Sequence, residues 1–345
     1  MKAPLSIAGC GAVTAAGLTA RQTCAAIRAG VSGITDAYHR APPDDPLLGG
    51  RIPASSRLRA TASGWLGRLA ARAIAESISA SPDTGRIGVI MNIPESKRDH
   101  PAFDRLSPRD FMESILAGGR SRYAAAEFVR EGHAGMAPAL EQAANWIESG
   151  KVDACCVGGV DSLLNPRDIQ RLTNSYRIRL PEQSWGLMPA EGAACVLLTQ
   201  PTRSPSSLAT LSGLGRGQEP DTVLGARYSR GTGLQNALAE AIASSGSPES
   251  SVGFRISDVN GERYSTLESV LTEARFYRTR REQMPLWLTA PSVGDMGAAS
   301  GALSLVVASI ALSRGYAPGR VVMCEASSDS GLRSACLLEA AAPAR

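Results

Sequence analysis

Two similar α/β halves packed against each other are what this sequence predicts, and three observations lead there. The 345 residues are rich in Ala and Gly and only 5% aromatic, a composition that suits closely packed layers around a sizeable core. Short continuous apolar runs alternate with amphipathic stretches and Gly-rich turns. Two passages far apart in the chain echo each other in order and composition.

Leu5 to Val13 is an apolar run ending in a turn, and it reads as a buried first strand. Thr19 to Arg28 is amphipathic and stops at Ala29-Gly30, which reads as a helix. Residues 40–58, rich in Pro, Arg and Ser, predict a surface excursion. Trp65 to Ile78 has helical spacing, and Arg86 to Met91 reads as a buried strand. Pro94 to Arg122 is charged and punctuated by Pro, which predicts a loop and helix excursion at an interface or a site mouth.

The first echoing passage runs from Gly132-His133-Ala134-Gly135 into an apolar helix through Trp146-Ile147, stops at Ser149-Gly150 and enters the strand Val152 to Val160. The second runs from Gly294-Asp295-Met296-Gly297 into the helix Ala302 to Leu312, stops at Arg314-Gly315 and enters the strand Arg320 to Cys324. Each is a Gly-rich turn, a buried helix and a buried strand, so a duplicated unit follows. The Pro/Ser-rich linker Gln200 to Ser207 marks the seam, giving halves at 1–203 and 204–345. Gly192 to Leu198 closes the first half as a strand, and Leu208 to Gly215 opens the second.

Composition excludes several classes. Net charge is +4, the lysines are Lys2, Lys97 and Lys151, and no basic run interleaved with aromatics appears, so no nucleic-acid partner is expected. No run approaches the ~18 apolar residues of a membrane span. Ile7-Ala8-Gly9-Cys10 matches the tail of a lipoprotein signal, but the apolar stretch before it is too short, and a core strand is the better reading. The seven cysteines lack CxxC spacing, and Cys10, Cys155, Cys156 and Cys195 lie in apolar runs. That is the pattern of reduced, buried thiols in a cytoplasmic protein, with no disulfide framework or metal site. Gly9-Cys10-Gly11 lacks the rest of a dinucleotide fingerprint, and no cofactor is expected.

The order of motifs resembles the β-ketoacyl-(acyl-carrier-protein) synthases of the thiolase superfamily. Ile7 to Thr14 is similar to their first strand and turn. Glu148 to Asp153 leading into Gly158-Gly159-Val160-Asp161-Ser162 is similar to the segment after their nucleophile. Pro189 to Ala194 resembles their Gly-Glu-Gly-Ala-Ala strand, and Gly294 to Ala302 resembles their Gly-His-x-x-Gly-Ala-Ala-Gly-Ala helix start. The resemblance covers nearly the whole chain and implies a thiolase-like layered αβαβα fold from two similar βαβαβαββ halves. It also implies dimerisation through the strand before the nucleophile.

Such synthases condense with a thiolate at a helix N-terminus and two imidazole or amide donors that stabilise enolate and oxyanion. By resemblance, the nucleophile position here is His133, and the two donor positions are Asn260, in Asn260-Gly261-Glu262-Arg263-Tyr264, and Asp295. The family's lysine falls on Ala290. The chain has only His39, His100 and His133, none in its second half, so no shift of register restores the triad. Pro138 is tolerated only near a helix start, which predicts a helix beginning late, with His133 on a loop.

His133, Asn260 and Asp295 should converge if the fold is right. One reading is a rewired site, His133 acting as base or acyl acceptor with Asp295 fixing its tautomer. The other is loss of catalysis, in which Asp295 merely caps a helix and the helix dipole keeps His133 neutral. Glu262, Arg263 and Tyr264 replace small residues where the resemblance leaves room for a phosphopantetheine arm. They are expected to plug that tunnel, or Arg263 to pair with Asp295 or grip a phosphate. Met136 and Trp146 read as core.

Three functions stay open at this point. The first is a non-condensing structural or regulatory partner, comparable to chain-length factors, in a fatty acid, polyketide or aryl polyene type pathway. The second is an acyltransferase, decarboxylase or hydrolase using His133 with Asn260 and Asp295. The third is an adaptor or assembly protein reusing the fold. A homodimer, or a heterodimer with an active synthase, and an acyl carrier protein are the partners implied by resemblance.

Overall fold

The structure, a computed structural model, describes residues 3–41, 45–53, 62–79, 85–103, 107–116, 123–203 and 207–341. Up to the seam the chain forms β1 (Leu5–Val13), α1 (Ala20–Arg28), the hairpin β2 (Thr35–Ala41) and β3 (Asp45–Gly49), α2 (Ala62–Ser79) and β4 (Ile87–Asn92). Then follow α3 (Pro108–Leu116), β5 (Tyr123–Val129), α4 (Met136–Glu148), β6 (Ala154–Ser162), α5 (Pro166–Asn174) and β7 (Glu191–Thr199). Beyond it come β8 (Ala209–Gln218), α6 (Thr232–Ser245), β9 (Phe254–Ser257), α7 (Arg263–Phe276) and β10 (Leu286–Leu288). The chain closes with α8 (Ala290–Val293), α9 (Ser300–Ser313), β11 (Val321–Ser327) and β12 (Leu332–Ala340).

One ten-stranded sheet runs β10-β9-β11-β12-β8-β1-β7-β6-β4-β5. Strands up to β7 fill one side and strands from β8 onward the other, meeting at the antiparallel pair β1–β8. Read outward from that pair, both sides repeat one order and one set of directions. Antiparallel β1–β7–β6 is matched by β8–β12–β11. Parallel β6–β4–β5 is matched by β11–β9–β10. Of the linker at 200–207, residues 204–206 lie outside the described residues.

The central strands are buried on both faces, which is why they read as continuous apolar runs instead of alternating ones. Successive side chains go to opposite faces. Cys155 and Val157 of β6 join a core with α4 and α9, while Ala154 and Cys156 join α2 and α3. The α4/α9 core also takes Phe254, Ile256, Val322 and Leu338 from the other side of the sheet, so these two helices lie between the halves. Ala237, Leu238 and Ala241 of α6 cover the far face, giving helix, sheet, helix, sheet, helix. α9 is apolar all round and buried along nearly its whole length, as a helix between the two halves of the sheet must be. Small residues permit the spacing: a Cβ on Gly11 would lie 2.0 Å from the Ala73 carbonyl oxygen of α2.

Thr19 caps α1 by accepting from the Gln22 amide, at the start of the helix expected over Thr19 to Arg28. The excursion expected at 40–58 is partly the β2–β3 hairpin, and 42–44 and 54–61 lie outside the described residues. The stretch 94–122 does two jobs. Phe111 and Met112 of α3 pack into the α2 core, and Arg98 reaches the site described next.

Candidate functional site

Two tight turns face each other at the end of the central helix layer. One is the 3-10 turn Gly132–Gly135 leading into α4, and the other is Gly297–Ala299 leading into α9. Buried Asn92, the last residue of β4, ties them together by donating to the Gly132 carbonyl at 2.5 Å and to the Ala298 carbonyl at 2.9 Å. Asp161 near the end of β6 accepts from the Ala298 amide at 2.9 Å. Gly297 adopts φ 53°, and a Cβ there would sit 2.1 Å from Asp161 Oδ2, so the turn needs glycine for both reasons. Ser328 accepts from the Ala134 amide at 2.8 Å and donates to the Glu131 carbonyl.

α4 begins at Met136, and Pro138 falls in its first turn, where an amide has no intrahelical acceptor to lose. His133 is therefore on the 3-10 turn that continues into the helix, not on an open loop.

The structure brings His133, Asn260 and Asp295 together. His133 Nε2 lies 2.7 Å from Asp295 Oδ1, which also accepts from the Gly297 amide at 2.8 Å. Asn260 Nδ2 donates to Asp295 Oδ2 at 2.7 Å. Three of the roughly four acceptor positions of this carboxylate are in use. Asp295 thus caps its turn and binds His133 at once.

Electrostatics corrects the expectation that His133 is neutral. Burial alone would lower its pKa, but the Asp295 carboxylate, its hydrogen bond, and Asp258 and Asp329 farther out hold it up at about 10. Burial would raise Asp295, yet His133, Asn260 and the Gly297 amide hold it down at about 2. The pair is imidazolium and carboxylate at neutral pH. The helix-dipole expectation fails because a full charge at 2.7 Å outweighs the half-charge of a helix terminus. Asp258 is pushed up to about 7 by burial, against the pull of His133.

Of the bulky loop residues, Glu262 fills the site. Its carboxylate accepts from Arg177 Nε at 2.6 Å and Nη2 at 3.0 Å, and from Asn260 Nδ2 at 3.0 Å. Arg177 grips Asp329 with its other edge, at 2.7 and 2.8 Å. Arg171 bridges Asp329 to Asp168, and Arg98 joins Asp168 to Asp161. The expected pairing of Arg263 with Asp295 does not occur. Arg263 lies over the Trp185 ring, 4.6 Å from its centroid, since Asn260 and His133 already occupy the carboxylate. Tyr264 donates to the Asp221 carbonyl and accepts from Arg333 at 3.0 Å.

What space remains is small. A cavity of about 120 Å³ opens beside His133, between Glu95, Lys97, Arg171, Arg177, Leu224 and Asp329. A second of about 20 Å³, room for about one water, lies between His133, Asn260, Glu262 and Tyr264. Both fall below the roughly 300 Å³ at which small-molecule sites begin.

No cysteine lies in the Gly132–Gly135 turn. All seven cysteines are free and buried, and burial pushes Cys24 and Cys336 up to about 12 and the Cys10, Cys155, Cys195 and Cys324 thiols well up. Among the described residues no group of three or more His, Cys, Asp or Glu side chains is placed to hold a metal ion. No helix among them is long and apolar enough to cross a membrane.

Sequence reasoning missed Asn92, Arg98, Arg177 and Asp329. The first lies at a strand end inside an apolar run, and the others are Arg and Asp in irregular stretches with no local pattern.

No family model and no curated protein matches the chain. Solved structures match it over nearly its full length. A type II PKS acyl-carrier protein in complex with its ketosynthase bound to the hexaketide aligns with TM-score 0.82 and 15% identity, covering 99% of this chain and 100% of that one. The ishigamide ketosynthase/chain length factor gives the same values. A ketosynthase in complex with its chain length factor from Xenorhabdus doucetiae aligns at 0.78 with 17% identity over 98% of both chains. The chain therefore has the thiolase-like fold shared by ketosynthases and chain length factors. At such identities the likeness carries the fold, and function rests on the site.

Proposed function

We propose that this chain is a non-condensing, ketosynthase-like subunit that works beside an active synthase, as a chain-length-factor-like partner in a fatty acid, polyketide or aryl polyene type pathway. The observation that carries the reading is the closed ion pair of His133 and Asp295. The position where a synthase needs a thiolate holds a cation, and the position of one oxyanion donor holds the anion that neutralises it. Arg177 with Glu262 and Asp329 fills the space beside it. An acyl-transfer role for His133 needs a free lone pair, which an imidazolium with a pKa of about 10 lacks at neutral pH.

β5 supports the partnership. It is the edge strand of the sheet, and it ends shortly before the turn that carries His133. No described strand pairs with its outer side, which can take a second chain, a synthase or another copy. Free, buried thiols fit a reducing cytoplasm. The repeated strand order fits halves at 1–203 and 204–345.

The test combines two measurements. Intact mass of the purified chain after incubation with malonyl and acyl thioesters should show no adduct. Co-expression with a complete synthase and its acyl carrier protein should give a stable complex in which condensation depends on the synthase cysteine. Condensation by this chain alone would overturn the reading, and co-purification only with assembly components would favour an adaptor.

A further inference from the structure

We propose that the cavity between α1, β10 and α9 binds a small carboxylate with a flat, apolar body, independently of the His133 site. At about 520 Å³ it is far larger than the space beside His133 and falls within the roughly 300–1,000 Å³ of small-molecule sites. Its wall is built from Ile27 of α1, Leu288 of β10, Pro291 and Val307 of α9. Trp287 and Tyr316 both line it, with their rings nearly parallel to each other, at 18° with centroids 6.3 Å apart.

The polar groups of this cavity are donors without acceptors. Arg28, at the last turn of α1, sits 4.4 Å from the centre of the Tyr316 ring, and among the described residues it makes no ion pair or hydrogen bond. The Trp287 indole N–H and the Tyr316 hydroxyl likewise have no partner among the described residues. Burial pushes the Tyr316 phenol up to about 12 against the pull of Arg28 and Arg314, so it keeps its proton at neutral pH. Among the described residues no Asp or Glu lines the cavity. Cys24 contributes a thiol that burial holds up at about 12, a small apolar surface instead of a nucleophile. A guanidinium with no counter-ion, two neutral donors and flat apolar walls are complementary to a planar anion, and a charged hydrogen bond to Arg28 would fix its orientation. β10 is only three residues long, a poor edge for a partner strand, so a small ligand fits this place better than a chain.

Titration calorimetry of the full chain with trans-cinnamate, with cinnamyl alcohol and hexanoate in parallel, tests the assignment. Cinnamate should bind one to one and saturably. Losing the charge in the alcohol, or the flat ring in hexanoate, should each weaken binding about tenfold or more. Arg28 is exposed, so Arg28→Ala leaves the fold intact by circular dichroism, yet it should weaken cinnamate about tenfold, with Arg28→Lys recovering part of the loss. No saturable binding overturns the proposal, as does binding indifferent to Arg28→Ala or equal affinity for the alcohol.

Discussion

Nε2 of His133 lies 2.7 Å from Oδ1 of Asp295, although 162 residues separate the two in the chain. The contact exists because the turns before α4 and α9 are held face to face by Asn92 and Asp161. The turn before α4 supplies one charge and the turn before α9 the other, and they meet in one ion pair.

The imidazolium should persist through neutral pH. His133 is raised from 6.5 to about 10, so its share of the pair's stability is complete below about pH 6.5 and lost as pH rises through about 10. Asp295 is depressed from 3.8 to about 2, so its share is complete above about pH 3.8 and lost as pH falls through about 2. The full contribution therefore spans about pH 3.8 to 6.5. An NMR titration should find His133 charged at about pH 8, and Asp295→Asn should bring its midpoint down. His100, whose pKa burial lowers despite nearby Asp161, should show its midpoint below the ordinary histidine value. A His133 midpoint near or below its ordinary value sinks the ion-pair account.

Arg177 holds buried Glu262 and partly buried Asp329; Arg171 also reaches Asp329, so removing Arg177 leaves the Glu262 carboxylate without a cation. Arg177→Ala should destabilise the chain by about 3–5 kcal/mol in urea denaturation. Glu262→Gln, which keeps the shape and one of the two acceptor oxygens while removing the charge, should cost less. Equal effects of the two changes would show that charge pairing is not what holds this loop.

His133→Cys should not recreate a reactive nucleophile. The new thiol would stand among Asp295, Asp258 and Asp329, whose negative charge raises a thiol pKa. Alkylation by iodoacetamide at about pH 8 should be slower than that of free cysteine. Faster labelling would show that the turn itself, and not its neighbours, sets reactivity.

The exposed edge of β5 should carry the partner contact. Ala124 and Ala126 face solvent, so Ala124→Arg with Ala126→Arg should change stability by only about 0.5 kcal/mol while abolishing assembly with a synthase by size-exclusion chromatography. Retained assembly would place the interface elsewhere.

Much of the site was legible in the sequence. The scarcity of histidine and the lack of a thiol in the Gly132–Gly135 turn followed from identity and order alone, and the echo between the two turns placed His133 and Asp295 in comparable positions. The charge on His133 was not legible, because it depends on Asp295, Asp258 and Asp329, which only the fold assembles. Arg177 and Asp329, 152 residues apart, gave no local signal. Arg263 was misplaced because its partner, the Trp185 ring, belongs to another loop.

By itself the sequence determined the layered α/β plan and which residues stand in the Gly132–Gly135 turn, since apolar runs, turn residues and residue identity are local properties of a chain. Only the tertiary structure decided which charges meet. A buried ion pair is set by distances of a few ångströms between segments far apart in sequence, and the energy of that meeting, not the preference of either segment, fixes the state of His133.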